Sequence, residues 1–99
     1  MELRHGNGIS TGNVFAVNSV GRLGKVCDPY WNDISASVVC RQLGLGGGQA
    51  VNSSFFGDEA GQPAMYQAIC EGHEDTLQEC DYHMWGMCGY HECAGVICQ

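Results

Sequence analysis

The stretch that decides the fold runs from Asn32 to Gly44, Asn32-Asp33-Ile34-Ser35-Ala36-Ser37-Val38-Val39-Cys40-Arg41-Gln42-Leu43-Gly44. Ile34, Ala36, Val39, Cys40 and Leu43 fall at helical spacing. Asn32 or Asp33 stands where an N-cap is wanted, and Gly44 where a helix stops. The stripe includes Cys40, so a disulfide from that position ties the helix to whatever lies beneath it.

On the N-terminal side the period changes to that of strands. Val14–Val17 and Arg22–Cys27 flank the turn-like Asn18-Ser19-Val20-Gly21 and read as a hairpin. On the C-terminal side Gly46-Gly47-Gly48 opens an irregular stretch to about Pro63, broken by a short strand at Val51–Phe56. Ala64–Cys70 reads as a strand, Asp75–Cys80 as one helical turn capped by Asp75, and Gly95–Cys98 as a closing strand. One helix among several strands and long loops is an α+β pattern.

The chain has 99 residues, the size of a single domain over 1–99, and 15 of them are glycine. So small a domain buries a modest share of its surface, and its glycines lose much backbone freedom on folding. Seven cysteines supply the missing constraint and point to an oxidising, extracellular setting. The polar start from Met1 to Gly8 is no signal peptide, so one is expected to have been removed or to lie outside this sequence. No run approaches the roughly 20 apolar residues of a membrane span, and direct membrane insertion is not expected. Eleven acids against four bases give a net charge of −7, which argues against nucleic acid as a partner and against any polyanion bound without a local basic patch or a bridging cation. The bases Arg4, Arg22, Lys25 and Arg41 are scattered.

Gly24-Lys25-Val26-Cys27-Asp28, Trp31 with Asp33, and Val38-Val39-Cys40-Arg41-Gln42-Leu43-Gly44 resemble the opening half of a scavenger receptor cysteine-rich domain. Phe56-Gly57, Cys70-Glu71-Gly72, Leu77-Gln78-Glu79-Cys80, Trp85-Gly86 and Ala94-Gly95-Val96-Ile97-Cys98 resemble its closing half, in the same order. The resemblance implies a small curved antiparallel sheet cradling one helix, stapled by disulfides Cys27–Cys88, Cys40–Cys98 and Cys70–Cys80, a connectivity that spacing alone leaves open. It also implies an extracellular module, part of a larger multidomain protein, that binds a protein or a polyanionic or microbial surface ligand and catalyses nothing.

Family members that bind calcium use two adjacent acids after the first cysteine and a glutamate before Ala-Gly-Val. Asp28 and Glu92 occupy the first and last of these places, and Pro29 replaces the second acid. A weak Ca²⁺ site is the expectation, since calcium takes about six to eight oxygens. A second family cation site finds Tyr66, Gln67 and His73 at its positions and is not carried over; Glu71, Glu74 and Asp75 read as a solvated acidic loop.

Cys93 is the departure, a seventh cysteine with no partner in the six-cysteine pattern. It is a candidate for an interchain bond, a reactive thiol or a buried thiol, and it competes with Cys88 for Cys27. A structural or assembly module built on a Cys93 interchain disulfide is therefore the alternative function. His83, Cys88, His91 and Cys93 only superficially resemble a zinc site, because there is no C-x-x-C pair and Cys88 belongs to a disulfide. His91 and Cys93 lack the supporting groups of a nucleophilic pair. Tyr82, Met84, Met87 and Tyr90 are candidates for a contact surface, whereas Trp85 reads as core packing. Asn52-Ser53-Ser54 matches the N-glycosylation pattern.

Overall fold

The computed structural model describes residues 1–84 and 86–99; Trp85, expected in the core, lies outside the described residues. The elements are β1 (Glu2–Arg4), β2 (Thr11–Val17), β3 (Leu23–Val26), α1 (Asp33–Gln42), β4 (Gly48–Val51), β5 (Pro63–Ile69), a 3₁₀ turn (Leu77–Glu79), β6 (Asp81–His83) and β7 (Gly95–Cys98).

The helix forms where the apolar spacing places it, and both ends are closed. Asn32 is the N-cap, its side chain accepting from the Ser35 N–H at 3.1 Å. At the other end Gly44 N–H donates to Arg41 C=O and Leu45 N–H to Cys40 C=O, each at 2.9 Å. This is a Schellman closure, and Gly44 at φ +80° has the left-handed backbone it requires. The buried face differs from the expected stripe: Ser35 and Val38 are buried, Ile34 is exposed and Leu43 is partly buried.

The strands run in the order β4-β7-β2-β3-β5-β6, with β1 also paired to β2. β2 is the hub. Its Thr11–Asn13 pair with β7, Asn13–Phe15 with β1 and Phe15–Val17 with β3. The sheet is curled and mixed, not antiparallel throughout, because β3 and β5 run parallel after the long connection that carries α1 and β4. The expected strand at Val51–Phe56 is displaced: β4 ends at Val51, residues 52–56 form turns, and the strand begins at Gly48. A side chain there would overlap Cys40 Sγ, so the glycine lets β4 lie close against the helix. The 3₁₀ turn is capped by Thr76 instead of Asp75, and the Glu79 carboxylate accepts from both the N–H and the hydroxyl of Thr76. No described helix is long and apolar enough to cross a membrane.

Alternation along the strands gives the sheet two closed faces. Val14, Ala16, Val26, Ala94 and Val96 pack toward α1 in the apolar core, together with Trp31, Val38, Val39, Met65 and Leu77. Disulfides Cys40–Cys98 and Cys70–Cys80 bind that side. Asn13, Phe15, Lys25, Cys27 and Cys93 alternate with these residues, and they too are buried. Two loops, residues 52–62 and 86–92, the second held by Cys27–Cys88, cover Asn13, Lys25, Cys27 and Cys93, and Arg4 lies over the Phe15 ring.

Candidate recognition face

The loop-covered face is built on a lysine. Lys25 is 1 % exposed, and its ammonium donates to the backbone carbonyls of Glu59 (2.8 Å), Gly89 (3.2 Å) and Cys88 (3.5 Å). One side chain thus fastens both loops to the sheet, and the Tyr90 ring lies 5.8 Å from the charge. A buried ammonium is tolerable only when its donors are engaged, and here three carbonyls engage them. The Glu59 carboxylate, also buried, accepts from Asn13 Nδ2 at 3.0 Å and contacts His5 Nε2 at 3.0 Å. Asn13 Nδ2 also donates to Gly57 C=O at 2.9 Å. On the rim, His91 Nδ1 meets Asp58 Oδ1 at 2.6 Å. By residue type Lys25, Glu59 and Asn13 read as surface residues. The one sequence signal for their burial is alternation, which puts Asn13, Phe15, Lys25 and Cys27 on the same side of the hairpin.

Asp28 and Glu92 meet at the edge of this face. They come from opposite ends of the chain, and their backbones are joined by the Asp28 N–H to Glu92 C=O bond at 2.9 Å. Each carboxylate has one oxygen committed: Asp28 Oδ2 accepts from Ser53 N–H and Glu92 Oε1 from Gly89 N–H, both at 2.7 Å. Asp28 Oδ1 and Glu92 Oε2 accept no hydrogen bond from the described residues. The donor set is hard oxygen and suits Ca²⁺ in kind but not in number, since Pro29 adds none. Tyr30, with φ +68°, and Phe55 stand exposed on segments adjoining this edge.

Cys93 is completely buried, and it is the one cysteine without a disulfide. Burial first, then the nearby Glu59 carboxylate, pushes its thiol up to about 12. That is opposite to what a nucleophilic cysteine needs, and its backbone is pinned by Ser54, whose hydroxyl accepts from Cys93 N–H and whose N–H donates to Cys93 C=O. An interchain bond from this sulfur would require the loop above it to open. His91 points to Asp58, Cys88 is in a disulfide and His83 lies on β6 opposite Tyr66. The four residues of the zinc-like pattern form no three-donor cluster among the described residues.

Of the contact-surface candidates, Met87 (77 % exposed) and Tyr90 (61 %) face solvent. Met84 is exposed on one side and accepts from Ser19 Oγ through its sulfur at 3.1 Å. Tyr82 is half-buried against the core, its hydroxyl accepting from Ser19 N–H at 2.9 Å, so it acts as a brace for the hairpin turn. Asn52 is exposed, while the Ser54 hydroxyl of its motif donates to Tyr90 C=O.

The acids at 71–75 divide. Glu74 is buried, and both its oxygens accept backbone N–H groups, Glu71 at 2.9 Å and Gly72 at 2.8 Å. These bonds, the Glu71 one foremost, hold its carboxyl down at about 2. Glu71 and His73 lie close to it and to each other. The remaining bases gather into no patch: Arg4 bonds Glu2 and stacks on Phe15, Arg22 bonds Gln62, and Arg41 bonds the carbonyls of Gly72 and Glu74.

Comparison with known proteins agrees with this architecture. The third scavenger receptor cysteine-rich domain of murine neurotrypsin superposes with a TM-score of 0.86 at 35 % identity, covering 97 % of this chain and 92 % of that one. The corresponding domain of mouse MARCO, crystallised in a dimeric form, gives 0.78 at 32 % identity, covering 90 % and 86 %. The family model for the scavenger receptor cysteine-rich domain matches residues 4–99. Domains of this kind are extracellular, disulfide-rich, non-catalytic recognition modules. With one helix, a curled sheet and three disulfides in common with them, the chain belongs to the scavenger receptor cysteine-rich family.

Proposed function

We propose that this domain is an extracellular recognition module, carried in a larger multidomain protein, whose Asp28–Glu92 edge binds an anionic surface ligand through a shared Ca²⁺. The observation that supports the reading is the backbone bond between Asp28 and Glu92, which joins the two segments that carry these carboxylates, each with an uncommitted oxygen. The charge argument supports a bridging cation. The net charge is −7, Lys25 is buried and the three arginines are dispersed, so an anionic ligand has no basic patch to meet. Two carboxylates supply part of a calcium shell, and water and the ligand supply the rest. Affinity for the ion alone is then in the weak extracellular range, about 10⁻⁴ to 10⁻³ M.

Calorimetric titration of the oxidised monomer with Ca²⁺, alone and with dextran sulfate, tests this. Saturable heat is expected, lost in Asp28→Asn and in Glu92→Gln, which keep the hydrogen-bond acceptors while removing charge. Dextran sulfate binding that persists in EDTA and in both variants rules the cation bridge out.

A protein ligand is the second reading, favoured by the exposure of Met87 and Tyr90. The dimeric form of the mouse MARCO domain makes self-association one version of it. A Cys93 interchain bond is the less favoured route to assembly, because the sulfur is buried.

A further inference from the structure

Cys27 has a second cysteine directly across from it. Cys27 and Cys93 form an isolated antiparallel bridge, flanked by Asp28 N–H to Glu92 C=O at 2.9 Å and Ala94 N–H to Val26 C=O at 2.8 Å. Neither residue bonds the other's backbone. Cys27 N–H goes to Met65 C=O, while the N–H and C=O of Cys93 both go to Ser54. They are therefore a non-hydrogen-bonded pair, in which the α-carbons approach to about 4.5 Å and both side chains leave on the same face. That separation lies within the range a disulfide spans, as does the 6.1 Å between Cys27 and Cys88.

We propose that Cys27 has two interchangeable disulfide partners, and that exchange moves the odd thiol from buried Cys93 to Cys88, where an external thiol or disulfide can reach it. In the exchange Cys93 first loses its proton, a step that its burial makes slow, and the thiolate attacks Cys27 Sγ. The Cys27–Cys88 bond breaks as Cys27–Cys93 forms, and the proton lost by Cys93 ends on Cys88, with no net oxidation. Chain entropy scarcely separates the isomers, since the closed loop of 61 residues changes by only the five between Cys88 and Cys93. The 86–92 loop does not rely on the disulfide alone. Lys25 still binds the carbonyls of Cys88 and Gly89, and Glu59 N–H still binds Tyr90 C=O. Cys88 is half-buried in a loop without regular structure, whereas Cys93 is completely buried, so the exposed member of the trio is Cys88.

Cys88→Ser tests the pairing. Unfolded without reductant and treated with N-ethylmaleimide, it is expected to show no alkylatable thiol, against one for the unaltered chain, and peptide mapping should find Cys27 joined to Cys93. Two alkylated thiols in that variant overturn the proposal. The unaltered chain gives a second measurement that does not depend on the variant folding. It is held with reduced and oxidised glutathione, quenched with acid and N-ethylmaleimide, and cut after Glu92, which separates Cys88 from Cys93. Glutathione joined to Cys88, with glutathione thiol released, and a Cys27–Cys93 peptide in the same sample support exchange. Label confined to Cys93 at every redox ratio refutes it.

Discussion

The two faces of the central strands are both closed to solvent, by opposite chemistries. Toward the helix the sheet is covered by Val38, Val39, Ala36 and Leu77, and the disulfides there join elements already in apolar contact. Toward the loops it carries Lys25 and Asn13, which with Glu59 tie down loop backbone through their donors and acceptors. The apolar face tolerates exchange of one hydrocarbon for another of like volume, because dispersion and water exclusion are not directional. The polar face does not, since each lost donor leaves a buried carbonyl unpaired.

The largest effect expected is on the helix side. Removing the 58-residue cross-link with the pair Cys40→Ala and Cys98→Ala costs about 4 kcal/mol in the chain-entropy account. Urea denaturation should show the whole domain shifting, loops and core together. A loss below about 1 kcal/mol would mean that apolar packing alone holds the helix to the sheet.

Lys25→Met should come next, at about 3 kcal/mol, since it removes a charged donor and leaves one buried and two partly buried carbonyl acceptors without it. Its signature separates the faces. Hydrogen exchange should rise first in residues 52–62 and 86–92, with β2 and α1 still protected. Equal loss of protection in both regions would show that they unfold as one unit and that the contrast between the faces is only chemical.

The smallest effect appears only in acid. The folded Glu74 carboxyl sits at about 2 against an ordinary value of 4.5, so its ionised form is bound more tightly by the fold than by the unfolded chain. The stabilisation is complete above pH 4.5 and is lost as pH falls toward 2. Glu74→Gln should lack this part of the acid transition when ellipticity is followed from pH 5 to 2. An unchanged profile would assign the acid sensitivity to other carboxylates.

The same contrast explains what the sequence disclosed. Helix α1 was legible because spacing, Asn32 and Gly44 agree, and the β2–β3 hairpin because Asn18 to Gly21 interrupt two strand-like runs. The family motifs brought Asp28 and Glu92 to notice. Illegible were the short charged strand β1, which pairs only because β2 offers it an edge, and the start of β4 at Gly48, where close approach to Cys40 outweighs the loop-like run of glycines. Least legible was the polar hub. Lys25 and Glu59 are burial-averse by type; the burial of Lys25 depends on backbone carbonyls that arrive from residues 34 and 64 positions away, and that of Glu59 on Asn13 and His5. Ser53 and Ser54, which hold Asp28 and Cys93 from the middle of a loop, gave no local sign of that role.

The strand order has a consequence for biosynthesis. β7 is the last of the described strands of this domain to be synthesised, yet it lies between β4 and β2. Until residue 98 has emerged, β4 lacks its neighbour, Cys40 lacks its sulfur partner and the hairpin edge at Thr11–Asn13 stays open. The sheet therefore closes only after synthesis of the domain is complete, and a chaperone or thiol oxidase acting on the nascent chain meets an open edge and unpaired cysteines throughout its elongation.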